Sequence, residues 1–130
     1  MKVFQILNKY DWYIPFFERR YSVDEMSYEA HRRTLIKDRF YGLHLLKPVL
    51  DLEEEAFYTL WNYEKLQWKW AVEKGWKERD LKKILFAQLE EFQPDVFYNG
   101  APTSFSPEEM AQKIDPTVLK ICWAASPYDR

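Results

Sequence analysis

The chain has 130 residues, 47% of them hydrophobic and 31% charged, and its 19 basic and 21 acidic side chains leave a net charge of −2. These values are typical of one globular domain with a buried core, and they argue against nonspecific binding to nucleic acid or an anionic membrane. Cys122 is the only cysteine, which excludes an internal disulfide and a cysteine-based zinc site. No apolar run reaches roughly 18 residues and no signal-peptide pattern occurs, so we expect a cytoplasmic protein without a transmembrane segment.

The N-terminal residues predict a strand and then a polar, aromatic loop. Residues 2–8, KVFQILN, favour a strand, and residues 8–15, NKYDWYIP, favour a loop. The chain has three glycines and none lies in this loop, which excludes a glycine-rich phosphate-binding turn there.

Two helices are predicted next. Residues 16–26 favour a short helix followed by a connection. Ser27 is a suitable N-cap for a longer helix that runs to about Leu46 and that Pro48 should stop.

Charged and titratable side chains of this second helix allow more than one interpretation. A basic cluster could meet an anionic ligand, or it could form a solvated face balanced by Glu29 and Asp38. The cluster consists of Arg32, Arg33, Lys37 and Arg39. His31 and His44 are too isolated to indicate a metal site, and we interpret both as ordinary helix residues.

The middle of the chain predicts a second strand and a third helix. Residues 54–61 favour the strand, and residues 62–74 favour the helix, with Asn62 as its N-cap and Gly75 as its stop. Trp68 and Trp70 are two positions apart and cannot share one helix face. One of them should therefore be exposed or pack against something outside the helix.

The C-terminal part predicts two further helix–strand units. Residues 80–92 favour an amphipathic helix, which Gln93-Pro94 ends before a short strand at 95–98. Ser106-Pro-Glu-Glu109 is typical of a helix start, with serine at the N-cap and proline at the first position. That helix should end near Ile114, and residues 118–125 favour a fourth strand.

Alternating strands and helices predict an α/β fold. We expect a Rossmann-like, three-layer α/β/α domain over residues 1–130, with about four parallel strands in the order 2-1-3-4. Ligands of such sheets bind beyond the carboxyl ends of the strands, which points to the loop after residue 8 and to residues 99–105.

Aromatic residues make up 18% of the chain, with six Trp, nine Tyr and nine Phe. They could line a sugar-binding surface, although packing in the core or against a partner is the commoner role of such side chains.

Four stretches of the sequence resemble one family. KVFQILN, EKLQWKWAVEKG, DLKKILFAQLEEFQPDVFY and LKICWAASP resemble the N-terminal lobe of GT-B-fold glycosyltransferases, especially a bacterial subgroup in which some members are fused to polysaccharide or methyltransferase modules. The resemblance implies a lobe that shapes the acceptor site for sugar transfer. It also implies a nucleotide-sugar donor held mainly by a C-terminal lobe outside these residues, so the chain would be the N-terminal part of a longer protein, without a cofactor of its own and inactive alone.

The resemblance also implies site residues in the loops after the strands. Acceptor-binding positions would be Asn8, Tyr10, Tyr13, Asn99, Gly100, Ser104, Ser126 and Tyr128. Asp11 is the one carboxylate in the first loop and the candidate general base, with a surface or capping role as the alternative. The glycine-rich turn of many GT-B enzymes is replaced here by NKYDWYIP.

A different class of function stays open. The same fold could serve as a non-catalytic docking domain of a multidomain polysaccharide-biosynthesis or methyltransferase protein, since fold does not determine function. Surplus aromatic residues favour this alternative, because large apolar patches often mark interfaces. A receiver or flavin-binding domain is disfavoured, because the first loop lacks an acidic cluster and a phosphate-binding turn.

Overall fold

The computed structural model describes residues 1–122 as four strands and six α-helices, joined by turns and by 3₁₀ turns at Val23–Glu25 and Gly42–His44. The elements in chain order are β1 (Val3–Leu7), α1 (Tyr13–Tyr21), α2 (Tyr28–Lys37), α3 (Lys47–Leu50), β2 (Ala56–Leu60), α4 (Glu64–Glu73), α5 (Leu81–Phe92), β3 (Val96–Asn99), α6 (Pro107–Lys113) and β4 (Leu119–Cys122).

The four strands form one parallel sheet in the order β2-β1-β3-β4. Val3 of the central strand pairs with Ala56 on one side and Val96 on the other, so the carboxyl ends of these three strands meet at one edge. The predicted α/β class, Rossmann-like layering and strand order are confirmed.

Both faces of the sheet are covered, as expected for parallel strands with apolar side chains on each side. Phe4 and Ile6 pack with Leu85 of α5 and Phe97 of β3 in one cluster. The other cluster joins apolar residues of β2 to helices α1–α4, among them Phe17, Leu35, Val49, Tyr58, Leu60 and Leu66. Among residues 1–122, no helix has the length and apolar character to cross a bilayer.

The single long helix predicted from Ser27 to Leu46 is wrong. Ser27 does cap α2, accepting a hydrogen bond from the Ala30 N–H at 3.1 Å, but the helix ends at Lys37 and Arg39 adopts a φ of +66°. Pro48 does not stop this helix; it lies in the first turn of α3, where its missing N–H costs nothing.

Tertiary contacts explain this break. Gln5, buried in β1, donates from Nε2 to the His44 carbonyl at 2.6 Å and accepts from the Leu46 N–H at 3.0 Å. These bonds need extended backbone at Leu45 and Leu46, which a continuous helix would not provide.

Other predicted boundaries shift by a few residues. The helix expected at 16–26 begins at Tyr13 and ends at Tyr21, which shortens the first loop. Asn62 does not cap α4; its Oδ1 accepts the Lys9 N–H at 2.8 Å instead. Gly75 has the left-handed φ of +72° expected of a helix stop. The last three residues of the predicted strand 118–125 lie outside the described part.

Two predictions are confirmed: one of Trp68 and Trp70 packs against something outside α4, and Ser106 begins a helix. Trp68 is half-buried and packs against the Arg79 guanidinium, 4.5 Å from the ring centroid, whereas Trp70 is buried. Ser106 Oγ accepts the Glu109 N–H at 3.1 Å. The basic cluster is not one solvated face, because Arg32 is buried and pairs with Glu29 at 2.6 Å.

Candidate functional site

The loops that follow β1 and β2 are tied together at the carboxyl edge of the sheet. Asn8 Oδ1 accepts a hydrogen bond from Trp61 Nε1 at 2.7 Å, and the next residue, Lys9, donates its N–H to Asn62. The Asn8 side chain therefore fixes the loop after β1 against the loop after β2.

Asp11 is the most exposed of three charged side chains that contact one another, Lys9, Glu64 and Asp11. Lys9 Nζ contacts Glu64 Oε1 at 2.5 Å and Asp11 Oδ1 at 3.5 Å. Burial acts to lower the pKa of Lys9, but Glu64 and then Asp11 raise it above its ordinary value, while the bond from Lys9 lowers the pKa of Glu64. The Asp11 side chain is 90% exposed, so its carboxylate can reach a ligand.

Five rings form the most distinctive feature of this edge, which we call the aromatic platform. Tyr13 and Phe40 stack with centroids 3.8 Å apart, and Tyr10 stacks on Tyr41 at 5.6 Å and on Trp12 at 6.5 Å. Trp12 is 70% exposed and Tyr10 is 46% exposed, whereas Tyr13 and Tyr41 are buried beneath them. Phe40 is also exposed, at 37%, so the platform offers three aromatic side chains to solvent on a base formed by Tyr13 and Tyr41.

Polar contacts hold the platform from below. Tyr41 Oη accepts the Tyr10 N–H at 3.0 Å. The carboxylate of Asp38, just after α2, accepts hydrogen bonds from the phenols of Tyr13 and Tyr21 on α1. Burial, and next the Asp38 carboxylate, raise the pKa of Tyr13 above its ordinary value. Hydrogen bonds thus hold the buried rings beneath the exposed ones.

The residues predicted after β3 lie at the same edge but are mostly internal. Asn99 is completely buried, and its Oδ1 accepts the Ala101 N–H at 2.8 Å. Gly100 packs so closely on β1 that a Cβ there would lie 2.3 Å from Leu7 Cδ2. Ser104 is half-buried in a turn whose carbonyl accepts Lys82 Nζ at 2.7 Å. These residues shape the loop from within.

The structure thus brings Asn8, Tyr10, Asp11 and Tyr13 together in one region. Ser126 and Tyr128 lie outside the described residues. Sequence reasoning missed Trp12, Phe40 and Tyr41 as site residues. Trp12 lies in the loop that the sequence predicts, but Phe40 and Tyr41 lie within the helix predicted from Ser27 to Leu46. The turn before Phe40 depends on contacts between residues distant in the chain.

Within residues 1–122, no group of three or more His, Cys, Asp or Glu side chains is arranged to hold a metal ion. In comparisons with protein-family models, curated proteins and solved structures, nothing matches this chain.

Proposed function

We propose that this chain is the acceptor-binding lobe of a glycosyltransferase and that the aromatic platform binds the acceptor sugar. The observation that carries the proposal is the pair of exposed, packed rings of Tyr10 and Trp12 beyond the carboxyl end of β1. Aromatic faces pack well against the C–H groups of a sugar ring, and ligands of parallel sheets bind at this edge.

Asp11 is the proposed general base. Its exposed carboxylate lies next to the platform in sequence and can accept the proton of an acceptor hydroxyl. The hydroxyl oxygen then bonds to the anomeric carbon of the donor, and the nucleoside diphosphate leaves with the electrons of the broken bond. The nucleotide-sugar donor is held by a C-terminal lobe or partner domain, so residues 1–130 alone should show no turnover.

Saturation-transfer NMR tests the sugar-binding step. Maltotriose, cellotriose and chitotriose are each added to the protein, and transfer from aromatic protons to the sugar ring protons is measured. We expect transfer to at least one trisaccharide and its loss in Trp12→Ala. Trp76→Ala is the matched control, because Trp76 is also exposed but follows α4, away from the platform. Equal transfer in both variants, or none in the unmodified protein, overturns the proposal.

Docking of another domain is the second candidate, and Leu43 favours it. This side chain is 99% exposed and follows the platform residues Phe40 and Tyr41 closely in sequence. Leu43→Asp should weaken a docking interface and leave trisaccharide binding unchanged. In a transfer assay with the complete protein, loss of transfer in Asp11→Asn with an intact fold supports the enzyme, whereas unchanged transfer supports docking.

A further inference from the structure

Exposed apolar side chains are concentrated at one corner of the molecule, next to the aromatic platform. Phe16 is 57% exposed and lies one helical turn after Trp12, and Leu43 is 99% exposed and follows Phe40 closely in the chain. The rings of Trp12 and Phe40 lie 5.4 Å apart and link these two side chains. We call Trp12, Phe16, Phe40 and Leu43 the apolar corner. Exposed apolar patches of this kind often mark a site of interaction with a protein or a membrane.

Basic side chains border the apolar corner. Two of them lie one turn after Phe16 on the same exposed face of α1, and two flank Asp38 just before Phe40. Tyr21, at the end of α1, donates a hydrogen bond to Asp38 at 2.6 Å, which places the end of α1 beside the end of α2. The four residues are Arg19, Arg20, Lys37 and Arg39. All four are exposed, and none forms an ion pair with a carboxylate of residues 1–122.

The corner is locally positive, although the whole chain has a net charge of −2. Its two segments, residues 12–22 and 37–47, hold five basic and two acidic residues. The two acids, Glu18 and Asp38, are half-buried and accept hydrogen bonds from tyrosine hydroxyls. Of the five basic residues, Lys47 is the one with a carboxylate partner in the described part of the chain, Asp51. Four cations at the corner are therefore free to bind an external anion.

Acidic residues outside these two segments have cations of their own or lie elsewhere. A lysine or arginine contacts each of Asp11, Asp24, Glu29 and Glu64. Glu25 is exposed without such a contact, but it lies just before α2, at the opposite end of that helix from Lys37. Glu53 and Glu54 are exposed before β2, at the other edge of the sheet. An anionic surface would therefore attract the corner and repel the opposite edge.

The chemistry of the corner fits an anionic lipid surface. Tryptophan and phenylalanine side chains favour the headgroup region of a bilayer, and leucine favours the boundary of the acyl chains. Arginine and lysine next to them attract anionic headgroups. A fluid lipid layer can also enclose a side chain such as Leu43, which projects almost completely from a turn, without a preformed pocket for it.

We propose that the apolar corner docks this protein onto an anionic lipid surface. Phe16 and Leu43 insert between the headgroups, and the four cations bind lipid phosphates. The surface adjoins the aromatic platform, but the proposal does not depend on the proposed function, because these six residues are not those that bind the sugar.

Co-sedimentation with lipid vesicles tests the proposal. One set of vesicles contains phosphatidylcholine alone, and the other contains equal parts of phosphatidylcholine and phosphatidylglycerol. We expect the protein to sediment with the anionic vesicles and to bind the neutral ones about tenfold more weakly. Raising the salt concentration should release it from the anionic vesicles, because the cations act at an exposed surface.

A pair of apolar substitutions tests insertion. Phe16→Gln combined with Leu43→Gln should weaken binding to the anionic vesicles about tenfold, since both side chains lose their apolar contact with the lipid. Val72→Gln combined with Trp76→Gln is the matched control, because these side chains are also exposed but lie on α4 and just after it. The control pair should leave binding nearly unchanged.

A pair of charge substitutions tests the role of the cations. Arg20→Gln combined with Arg39→Gln should also weaken binding to the anionic vesicles about tenfold. Lys77→Gln combined with Lys113→Gln removes the same charge from exposed positions outside the corner and should have little effect.

Three results would overturn the proposal: no binding to the anionic vesicles, equal binding to both kinds of vesicle, or equal losses in the corner pairs and their controls. If no vesicle binds but the corner pairs abolish the docking of another domain in the complete protein, the surface binds protein instead of lipid. Trisaccharide binding should be unchanged in Phe16→Gln combined with Leu43→Gln, which keeps this test separate from that of the proposed function.

Discussion

Nε2 of His31 lies 3.0 Å from Oη of Tyr63, at a position where the histidine is fully buried. Tyr63 donates its hydroxyl proton to Glu18 Oε2 at 2.7 Å, so Nε2 of His31 is the protonated nitrogen that donates to Tyr63. The other ring nitrogen, Nδ1, accepts from Lys69 Nζ at 3.1 Å. This network joins α1, α2 and α4 around a neutral imidazole.

The neutral imidazole makes stability depend on pH. Burial, followed by the positive charges of Lys69 and Lys65, lowers the pKa of His31 from 6.5 to about 3. The unfolded chain therefore binds a proton below pH 6.5 that the folded chain does not. Stability from His31 is fully present above pH 6.5, and it decreases by up to about 1.4 kcal/mol for each pH unit between pH 6.5 and 3.

Urea unfolding at pH 8, 6.5, 5.5 and 5 measures this effect. The range above pH 5 is informative because Glu29 and Glu64, whose pKa values are lowered from 4.5, lose their contributions only at lower pH. His31→Gln should be less stable at pH 8, through lost packing, but should lose less stability between pH 6.5 and 5. Parallel pH dependence in both proteins would contradict the prediction.

Gly100→Ala should destabilise the protein by about 1–3 kcal/mol. The new Cβ would lie 2.3 Å from Leu7 Cδ2 and 2.6 Å from the Ile6 carbonyl oxygen, so β1 or the loop after β3 must move. Gly42→Ala is the control, because its Cβ would have no neighbour closer than 3.8 Å. Thermal unfolding of the two variants checks the prediction, and equal Tm values would contradict it.

Gln5→Leu should cost about 2–3 kcal/mol, because it removes the hydrogen bonds that Gln5 makes to the His44 carbonyl and the Leu46 N–H. Hydrogen exchange of the Leu46 amide should become faster than that of amides in α5. Gln112→Leu makes the same change on the exposed surface of α6 and should leave both stability and exchange nearly unchanged. Unaltered exchange at Leu46 in Gln5→Leu would show that Gln5 does not hold this segment.

Asp38→Asn should weaken the support of the aromatic platform. The Asp38 carboxylate accepts hydrogen bonds from two phenols, and an amide replaces these charge-assisted bonds with weaker ones, at a cost of about 1–2 kcal/mol. Asp51→Asn is the control, since Asp51 forms a surface ion pair with the exposed Lys47. Urea unfolding compares the two, and the ¹H NMR shifts of the Phe40 ring should change only in Asp38→Asn.

The sequence by itself determined the α/β class, the strand order and several helix starts. Ser27 and Ser106 both cap helices as their local patterns predict, because a cap depends on residues within one turn. The apolar strands and amphipathic helices alternate along the chain, so the α/β class follows from their periodicity and alternation.

Tertiary structure alone decided where the second helix ends and which rings form the platform. The second helix ends at Lys37, although its sequence favours continuing. Gln5 binds the His44 carbonyl in the segment that follows, and Asp38 accepts a hydrogen bond from Tyr21 of α1. That break places Phe40 and Tyr41 against Tyr10 and Tyr13, about 30 positions away in the chain. Local propensity cannot anticipate such contacts, because a few buried hydrogen bonds between distant residues outweigh the small helix preference of each residue.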